Sequence, residues 1–378
     1  MKNLFWISII LILYTYIGYP VLVYLLSLFY EKTTKGKYLY PTVSILLAVY
    51  NEETNIENKI QTLRELDYPL GRMEILIGSD GSTDGTDEII KKGMEKFPEI
   101  KFYKQEKRKG KPSMLNLLVE KAQNDILVFT DARQRLDKNA VSELVKYMED
   151  PKVGAVSGAL FYESEDNNSG TGIGLYWKYE KLIRKAESRM GSMLGATGAF
   201  YAVKRRLYKQ MPEDLILDDI YLPMKIVEMG YRAIFDKKAK VYDKLFSTPK
   251  EEFMRKTRTL AGNFQLFYYL RGLFNPFKGK ISWQFFSHKF LRLMVPFLMI
   301  AVFISNLFIL NGAFYCSVFA LQIIFYCFAL LGAMSRQKNK LFDIAHMFCL
   351  MNAAAVVGLY RFLMRKQGAM WEKAERTI

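Results

Sequence analysis

The chain has 378 residues, of which 51% are hydrophobic and 15% aromatic while 24% are charged, so apolar segments must be joined to a polar domain. A formal net charge of +16 suits a protein that lies against an anionic membrane or binds polyphosphate ligands. No helix-turn-helix, zinc or RNP signature accompanies that charge, which argues against nucleic acid as a partner. All three cysteines (Cys316, Cys327, Cys349) sit in the apolar C-terminal third, so no disulfide framework is expected and the compartment is a reducing one. The two histidines, His288 and His346, are far apart in the chain with no Cys or acidic cluster beside them, which argues against zinc.

Leu4 to Tyr30 carries no charge and exceeds the ~20 residues of a membrane span, with Gly18 and Pro20 as a possible kink point. It has no A-x-A cleavage site, so it reads as a retained anchor, and Lys32, Lys35 and Lys37 behind it place that end in the cytoplasm. From Pro41 short apolar runs alternate with helical stretches. Strands are predicted at Val43–Val49, Met73–Ile77, Ile100–Tyr103 and Ile126–Phe129, and helices at Thr54–Leu66, Thr86–Phe97, Ser113–Ala122 and Asn139–Met148. That alternation predicts βαβ units and a mainly parallel sheet.

A further strand is expected at Val153–Leu160, then a Gly-rich segment (Asn167–Gly174) and a basic helix (Trp177–Met190). A strand through Val203, a helix over Ile220–Met229, and strands at Arg232–Phe235 and Lys240–Tyr242 close the domain. Glu251–Arg271 is amphipathic, rich in basic and aromatic residues, and suits either the membrane interface or the surface of the polar domain. Leu293 to Ser335 is again uncharged, about twice one span, with a turn at Asn311-Gly312 and Arg336, Lys338 and Lys340 behind it. Ile344–Tyr360 is a third, shorter candidate: crossing would put the basic tail from Arg365 outside, and not crossing would keep it inside. The expected layout is an anchor at 1–37, a polar domain at 38–245, an interfacial segment at 246–287 and a transmembrane region with its tail at 288–378.

Three acidic sites end strands or open helices in the polar domain: Asp80, Asp131 and the pair Asp218-Asp219. A single such carboxylate is usually a cap, whereas three at the carboxyl edge of one sheet point to a metal-nucleotide site, because ligands bind beyond the carboxyl ends of the strands. Asp80, after Gly78-Ser79, can accept hydrogen bonds from a base or ribose. Asp131 is placed for a divalent cation, since Mg²⁺ takes one or two protein carboxylates plus substrate phosphates. Asp218-Asp219 opens a helix, and an acid there can serve as general base toward a sugar hydroxyl. Lys109, Lys111, Arg255 and Arg258 are the cations available to a diphosphate leaving group. Gly195-Ala-Thr197-Gly198-Ala-Phe200 offers small residues where a sugar ring could approach the backbone.

In order, these stretches resemble the membrane-bound family 2 glycosyltransferases, the group of cellulose, hyaluronan and poly-N-acetylglucosamine synthases. Val43-Ser-Ile-Leu-Leu-Ala-Val-Tyr-Asn-Glu-Glu53 is similar to the family's first strand and Asn-Glu turn, and Gly78-Ser-Asp-Gly-Ser-Thr-Asp-Gly85 to its uridine-binding acid motif. Lys109-Gly-Lys-Pro-Ser-Met-Leu-Asn116 resembles the Gly-Lys…Leu-Asn segment, and Phe129-Thr-Asp-Ala-Arg133 stands where the DxD motif belongs. Gly195 to Arg205 resembles the acceptor loop, Leu217-Asp-Asp219 the T-E-D motif, and Arg255 to Gln265 the Q-x-x-R-W segment.

The resemblance implies an α/β fold of the GT-A, Rossmann-like type flanked by transmembrane helices, and an inverting transfer from a nucleotide-sugar, a UDP-sugar, with Mg²⁺ or Mn²⁺. Glu52 and Asp80 would hold the nucleoside, Asp131 the metal, Lys111 and Arg258 the diphosphate. Gly195, Thr197, Gly198 and Asp218 would face the acceptor, with Asp219 as the base. The acceptor would be a growing polysaccharide or a lipid-linked glycan, in a bacterial inner membrane with the catalytic domain cytoplasmic and export subunits as further partners. Two departures stand out: Arg133 replaces the second Asp of DxD, and Thr259 replaces the Trp of Q-x-x-R-W. Thr259 favours a non-processive enzyme that adds one sugar to a lipid, and Arg133 favours an inactive scaffold in an export assembly.

Overall fold

The computed structural model describes residues 1–30, 36–163, 171–244, 249–334 and 339–370. Lys32, Lys35, Arg336 and Lys338, residues 167–170 of the Gly-rich segment, and the tail beyond 370 lie outside the described residues. The chain divides into two compact units. One comprises Met1–Phe29, Asp166–Glu187 and Ser247–Gln367; the other comprises Tyr30–Glu165, Ser188–Phe246 and Gly368–Ile378.

The second unit is a GT-A, Rossmann-like α/β domain built on a mixed sheet. Its strands are β1 (Val43–Val49), β2 (Met73–Asp80), β3 (Ile100–Gln105), β4 (Ile126–Thr130), β5 (Arg135–Leu136), β6 (Val153–Glu163), β7 (Phe200–Lys204) and β8 (Arg232–Lys244). Their spatial order is β3-β2-β1-β4-β7-β6-β8-β5. β3, β2, β1 and β4 run parallel, and β7 enters antiparallel between β4 and β6. Every residue of β1 and β2 is buried, as expected of parallel strands covered on both faces. Ile45, Leu47, Ile75, Ile77 and Val128 join Ile56, Ile60 and Leu63 of the helix Glu53–Arg64 in the core. The chain winds from β1 outward to β3 and then returns to β1's other side with β4. The carboxyl ends of β1, β2 and β4 thus flank a point where strand order reverses, the usual place for a nucleotide.

Several boundaries move from the sequence expectation. β2 continues through Gly78 and Ser79, so Asp80 closes the strand and is buried rather than standing on the following turn. The two short strands expected at 232–235 and 240–242 form one long β8, which tolerates the intervening Asp236-Lys-Lys because Asp236 pairs with Lys146 at 2.8 Å. Residues 139–148 give only a short helix, Ala140–Val145.

The first unit gathers apolar helices. Among the described residues four stretches are long and apolar enough to cross a membrane: Lys2–Leu28, Lys280–Leu307, Ala313–Met334 and Lys340–Leu363. Lys2–Leu28 contains a π-helical turn at Tyr14–Gly18, just ahead of Pro20, whose missing N–H and ring disrupt the preceding turn's ladder. Phe5 packs with Val302 and Ile309, while Phe264 of the amphipathic helix Pro249–Tyr269 packs with Leu293 and Ala355. The helix Thr171–Met190, as far as Glu187, groups with this unit. There His288, which has no acidic neighbour in sequence, lies between two glutamates: Nδ1 is 2.7 Å from Glu187 and Nε2 3.4 Å from Glu180. Arg292 pairs with Glu180, and the Tyr19 hydroxyl donates to Glu187 at 2.5 Å.

Candidate active site

Two strand-to-helix turns are laced together at the carboxyl ends of β1 and β2. The Thr83 amide donates to Asn51 Oδ1 at 2.8 Å, the Glu52 amide to Thr86 Oγ1 at 2.8 Å, and the Gly85 amide to Glu53 Oε2 at 3.2 Å. Much of the Asn-Glu-Glu and Asp-Gly-Ser-Thr-Asp-Gly pattern is therefore occupied in fixing the two turns against each other. Glu52 itself accepts from Asn55 Nδ2 at 2.6 Å. Just ahead of the following helix, Asp84 Oδ1 accepts the Thr86 amide at 3.1 Å in a local turn.

Asp80 does not stand free to meet a base. Its two oxygens accept the Lys109 and Gly110 amides, each at 2.7 Å. Gly110 has φ +99, a conformation open to glycine but strained for other residues, and it directly precedes the helix Lys111–Lys121. Asp80 thus fixes the loop that presents Lys111, and each oxygen retains a lone pair for a further donor. An open cleft of roughly 290 Å³ runs beside it, lined by Ala48, Val49, Tyr50, Asp80, Arg108, Gly110 and Lys111. The Arg108 guanidinium lies 3.7 Å over the Tyr50 ring on that cleft. Neither residue stood out in the sequence.

Lys111 is the centre of the charged part of the site. Its Nζ is 2.8 Å from Asp131 Oδ1, at the end of β4, and 3.4 Å from Asp218 Oδ1, at the start of the helix Asp218–Glu228. Burial alone would depress this ammonium, but Asp131 and Asp218 together hold it above the usual lysine range. Asp218 is buried and also accepts from the Tyr201 hydroxyl at 3.1 Å. Burial, with Asp218 adjoining, raises Tyr201 well above its ordinary value, so it stays protonated and donates. Asp218, expected to face the acceptor, has a carboxylate that pairs with Lys111 and Tyr201.

Asp219 is the more exposed of the pair. Its carbonyl accepts the Ala196 amide at 2.7 Å, and a methyl placed on Gly198 would lie 2.9 Å from Asp219 Oδ2. Thr197 donates its amide to Ser157 Oγ at 2.8 Å. Of this small-residue loop, Gly198 lies directly against the Asp219 carboxylate, while Gly195 packs on Ile220. Arg133, in the second DxD position, reaches Asp243 of β8 at 2.8 Å, and Gln134 reaches the same oxygen at 3.0 Å. Arg258 and Thr259 lie on the helix Pro249–Tyr269 of the other unit.

A second charged residue, besides Arg108, escaped sequence reasoning. Lys59, on the helix Glu53–Arg64, is 2% exposed and donates to Thr130 Oγ1 at 2.8 Å and to the Gln134 carbonyl at 2.9 Å. It braces both ends of the turn that carries Asp131. Burial lowers it to about 7, against the opposing pull of Asp131. No group of three or more His, Cys, Asp or Glu side chains able to hold a metal ion occurs among the described residues.

The chain is similar to known proteins in sequence and in fold. Residues 44–211 match the sequence profile of Glycosyl transferase family 2. The probable glycosyltransferase YdaM of Bacillus subtilis (strain 168) is 26% identical over 284 residues, covering 71% of this chain and 67% of that protein. A poly-beta-1,6-N-acetyl-D-glucosamine synthase of Staphylococcus epidermidis is 28% identical over 202 residues, covering 52% of this chain and 48% of that protein, so the match spans about half of the synthase. Among solved structures, the mannosyltransferase PcManGT from Pyrobaculum calidifontis, in complex with GDP-Man and Mn²⁺, shares the fold. Its TM-score is 0.73 at 22% identity, over 96% of this chain and 100% of that one.

Proposed function

Because this chain carries a family 2 glycosyltransferase domain, we propose that it is an inverting, membrane-bound enzyme that moves a sugar from a UDP-sugar to a growing polysaccharide or lipid-linked glycan. The observation that carries this reading is the convergence of Lys111, Asp131, Asp218 and Asp219 at the ends of β4 and of one helix, next to the open cleft that Tyr50, Asp80 and Arg108 line. A scaffold has no use for such an arrangement. The base would sit in the cleft beside Tyr50 and Arg108, with Asp80 and Glu52 as acceptors toward the nucleoside. Thr259 supports single-sugar transfer as the second reading, since an acceptor platform is missing there.

The carboxylates suit a metal that arrives with the donor rather than one resident in the empty enzyme. Asp131 is the single acid left of DxD, and Mg²⁺ or Mn²⁺ accepts one protein carboxylate plus diphosphate oxygens. Bound there, it would neutralise charge on the departing diphosphate. Lys111 would add its charge to the same leaving group. Asp219 would take the proton from the acceptor hydroxyl as that oxygen attacks the anomeric carbon, with Gly198 leaving room for the ring. A positioned base of this kind contributes roughly 10²–10⁴-fold.

For location, we infer a bacterial inner membrane with the catalytic unit on its cytoplasmic face. The chain leaves the catalytic unit after β8, which ends at Lys244, and has rejoined it by Gly368, where Ala369 is buried beside Gly110. Residues 244 and 368 would then share one side of the membrane, so an even number of crossings separates them. Lys280–Leu307 and Ala313–Met334 provide two, which leaves Lys340–Leu363 lying along the membrane on the helix Pro249–Tyr269. Gly358 packs closely on that helix, where a methyl would lie 3.0 Å from the Ala261 amide.

The function is tested with the detergent-purified protein and a panel of UDP-, GDP- and dTDP-sugars, N-acetylglucosamine first, with Mg²⁺ or Mn²⁺ and membrane lipid extract as acceptor. Nucleoside diphosphate release from a UDP-sugar is expected. Release from a GDP-sugar alone would overturn the donor assignment, and silence together with no donor binding would overturn the transferase reading.

A further inference from the structure

A divalent cation on Asp131 would stand against the Lys111 ammonium that Oδ1 already accepts, so two positive charges compete for one carboxylate. The ammonium is already 2.8 Å from Oδ1, and a metal would need to approach to about 2.0–2.1 Å there. Lys111 is only partly accessible, with 12% of its side chain exposed, and it has a second anchor in Asp218 at 3.4 Å. It also lines the cleft in which a donor diphosphate would lie. Arg133, the other cation in this motif, is engaged with Asp243.

We propose that Lys111 is a stand-in cation: it occupies Asp131 in the empty enzyme, yields that carboxylate when a divalent cation arrives with the nucleotide, and turns to the diphosphate while Asp218 retains it. The ion pair then explains how one carboxylate suffices where the family pattern has two. Metal alone is kept out, and metal with diphosphate is admitted because the displaced ammonium gains a new anion. Metal binding and delivery of the leaving-group cation become one event. This inference rests on the metal assignment made above.

The test is Mn²⁺ binding, read from the electron paramagnetic resonance signal of free Mn²⁺, with the full-length protein in detergent, with and without UDP or GDP. Lys111→Met and Lys111→Gln are compared with wild type, and Lys111→Arg serves as the variant that keeps the charge. In the absence of nucleotide, the two neutral variants should bind Mn²⁺ at least about tenfold more tightly than wild type, since an opposite charge this close shifts a carboxylate's preference by that much or more. Their gain in Mn²⁺ affinity on adding nucleotide should be smaller than that of wild type, while Lys111→Arg should follow wild type. Nucleotide-dependent Mn²⁺ binding in wild type, with nucleotide-free affinity unchanged in both neutral variants, would overturn the exchange and leave the metal assignment intact. Mn²⁺ binding to none of the proteins, even with nucleotide, would remove the metal assignment and this inference with it.

Discussion

The two units bury charge in opposite ways. In the apolar-helix unit, Glu180, Glu187, His288 and Arg292 close on one another, with Glu187 fully buried and the Tyr19 hydroxyl donating to it. In the catalytic unit, Lys111, Asp131 and Asp218 also pair, but beside a cleft, and with Asp219 left partly exposed against a loop of small residues. The first cluster is enclosed among apolar helices, with Glu187 Oε2 buried and, among the described residues, without a hydrogen-bond partner; the second can exchange partners. Buried ionic contacts are thus a poor sign of function taken alone. Access to a ligand-sized space and a partner that can be replaced distinguish a site from a brace.

Substitutions can sharpen or break that contrast. The largest effect is expected from Asp219→Asn, which should lower transfer by roughly 10²–10⁴-fold with donor affinity intact, as separate turnover and calorimetric titrations would read. A proportionate loss of donor affinity would instead make Asp219 part of the donor pocket. In the other cluster, Glu187→Leu strips the acceptor from Tyr19 and His288 in apolar surroundings. It should cost about 3–5 kcal/mol of stability in denaturation, while folded protein keeps its donor affinity. Gly198→Ala places a methyl 2.9 Å from Asp219 Oδ2. A carboxylate displaced by about 1 Å would cost on the order of 10²-fold in turnover, with stability nearly unchanged.

The smallest effect concerns Lys59, a brace inside the catalytic unit. Its folded value, lowered by burial to about 7, lies below its ordinary 10.5. Between those two values the unfolded chain binds more protons than the folded one, so stability should rise with pH across that window. Lys59→Met should abolish the rise, seen by comparing melting curves at pH 7 and pH 10.

How much of this was legible in the sequence differs between the same two regions. The parallel half of the sheet could be read because β1, β2 and β4 are continuous apolar runs, and Asp80 and Asp131 stand where those runs stop. Asp219 and the Gly195–Gly198 loop could be read from residue type and order. Lys59 could not, because a lysine on an amphipathic helix is indistinguishable from a solvated one until the sheet covers it. Arg133 seemed to leave Asp131 without a partner, and only the long β8, hidden by its charged middle, brings Asp243 to it. Asp80 was legible as important but not in its manner, since backbone amides 29 and 30 residues later take both its oxygens. The His288 cluster joins residues about a hundred positions apart and leaves no local pattern.

The central claim is that Asp219 acts as base in a single in-line displacement at the anomeric carbon, within a site framed by Lys111, Asp131 and Asp218. The stereochemistry of the product tests it most directly. With an α-linked donor that supports turnover, the anomeric proton coupling of the newly formed linkage, measured by NMR before any equilibration, should report inversion to the β configuration. An α-linked product would contradict the account, because retention needs a second displacement or a different attacking face, and Asp219 would not be the base described here.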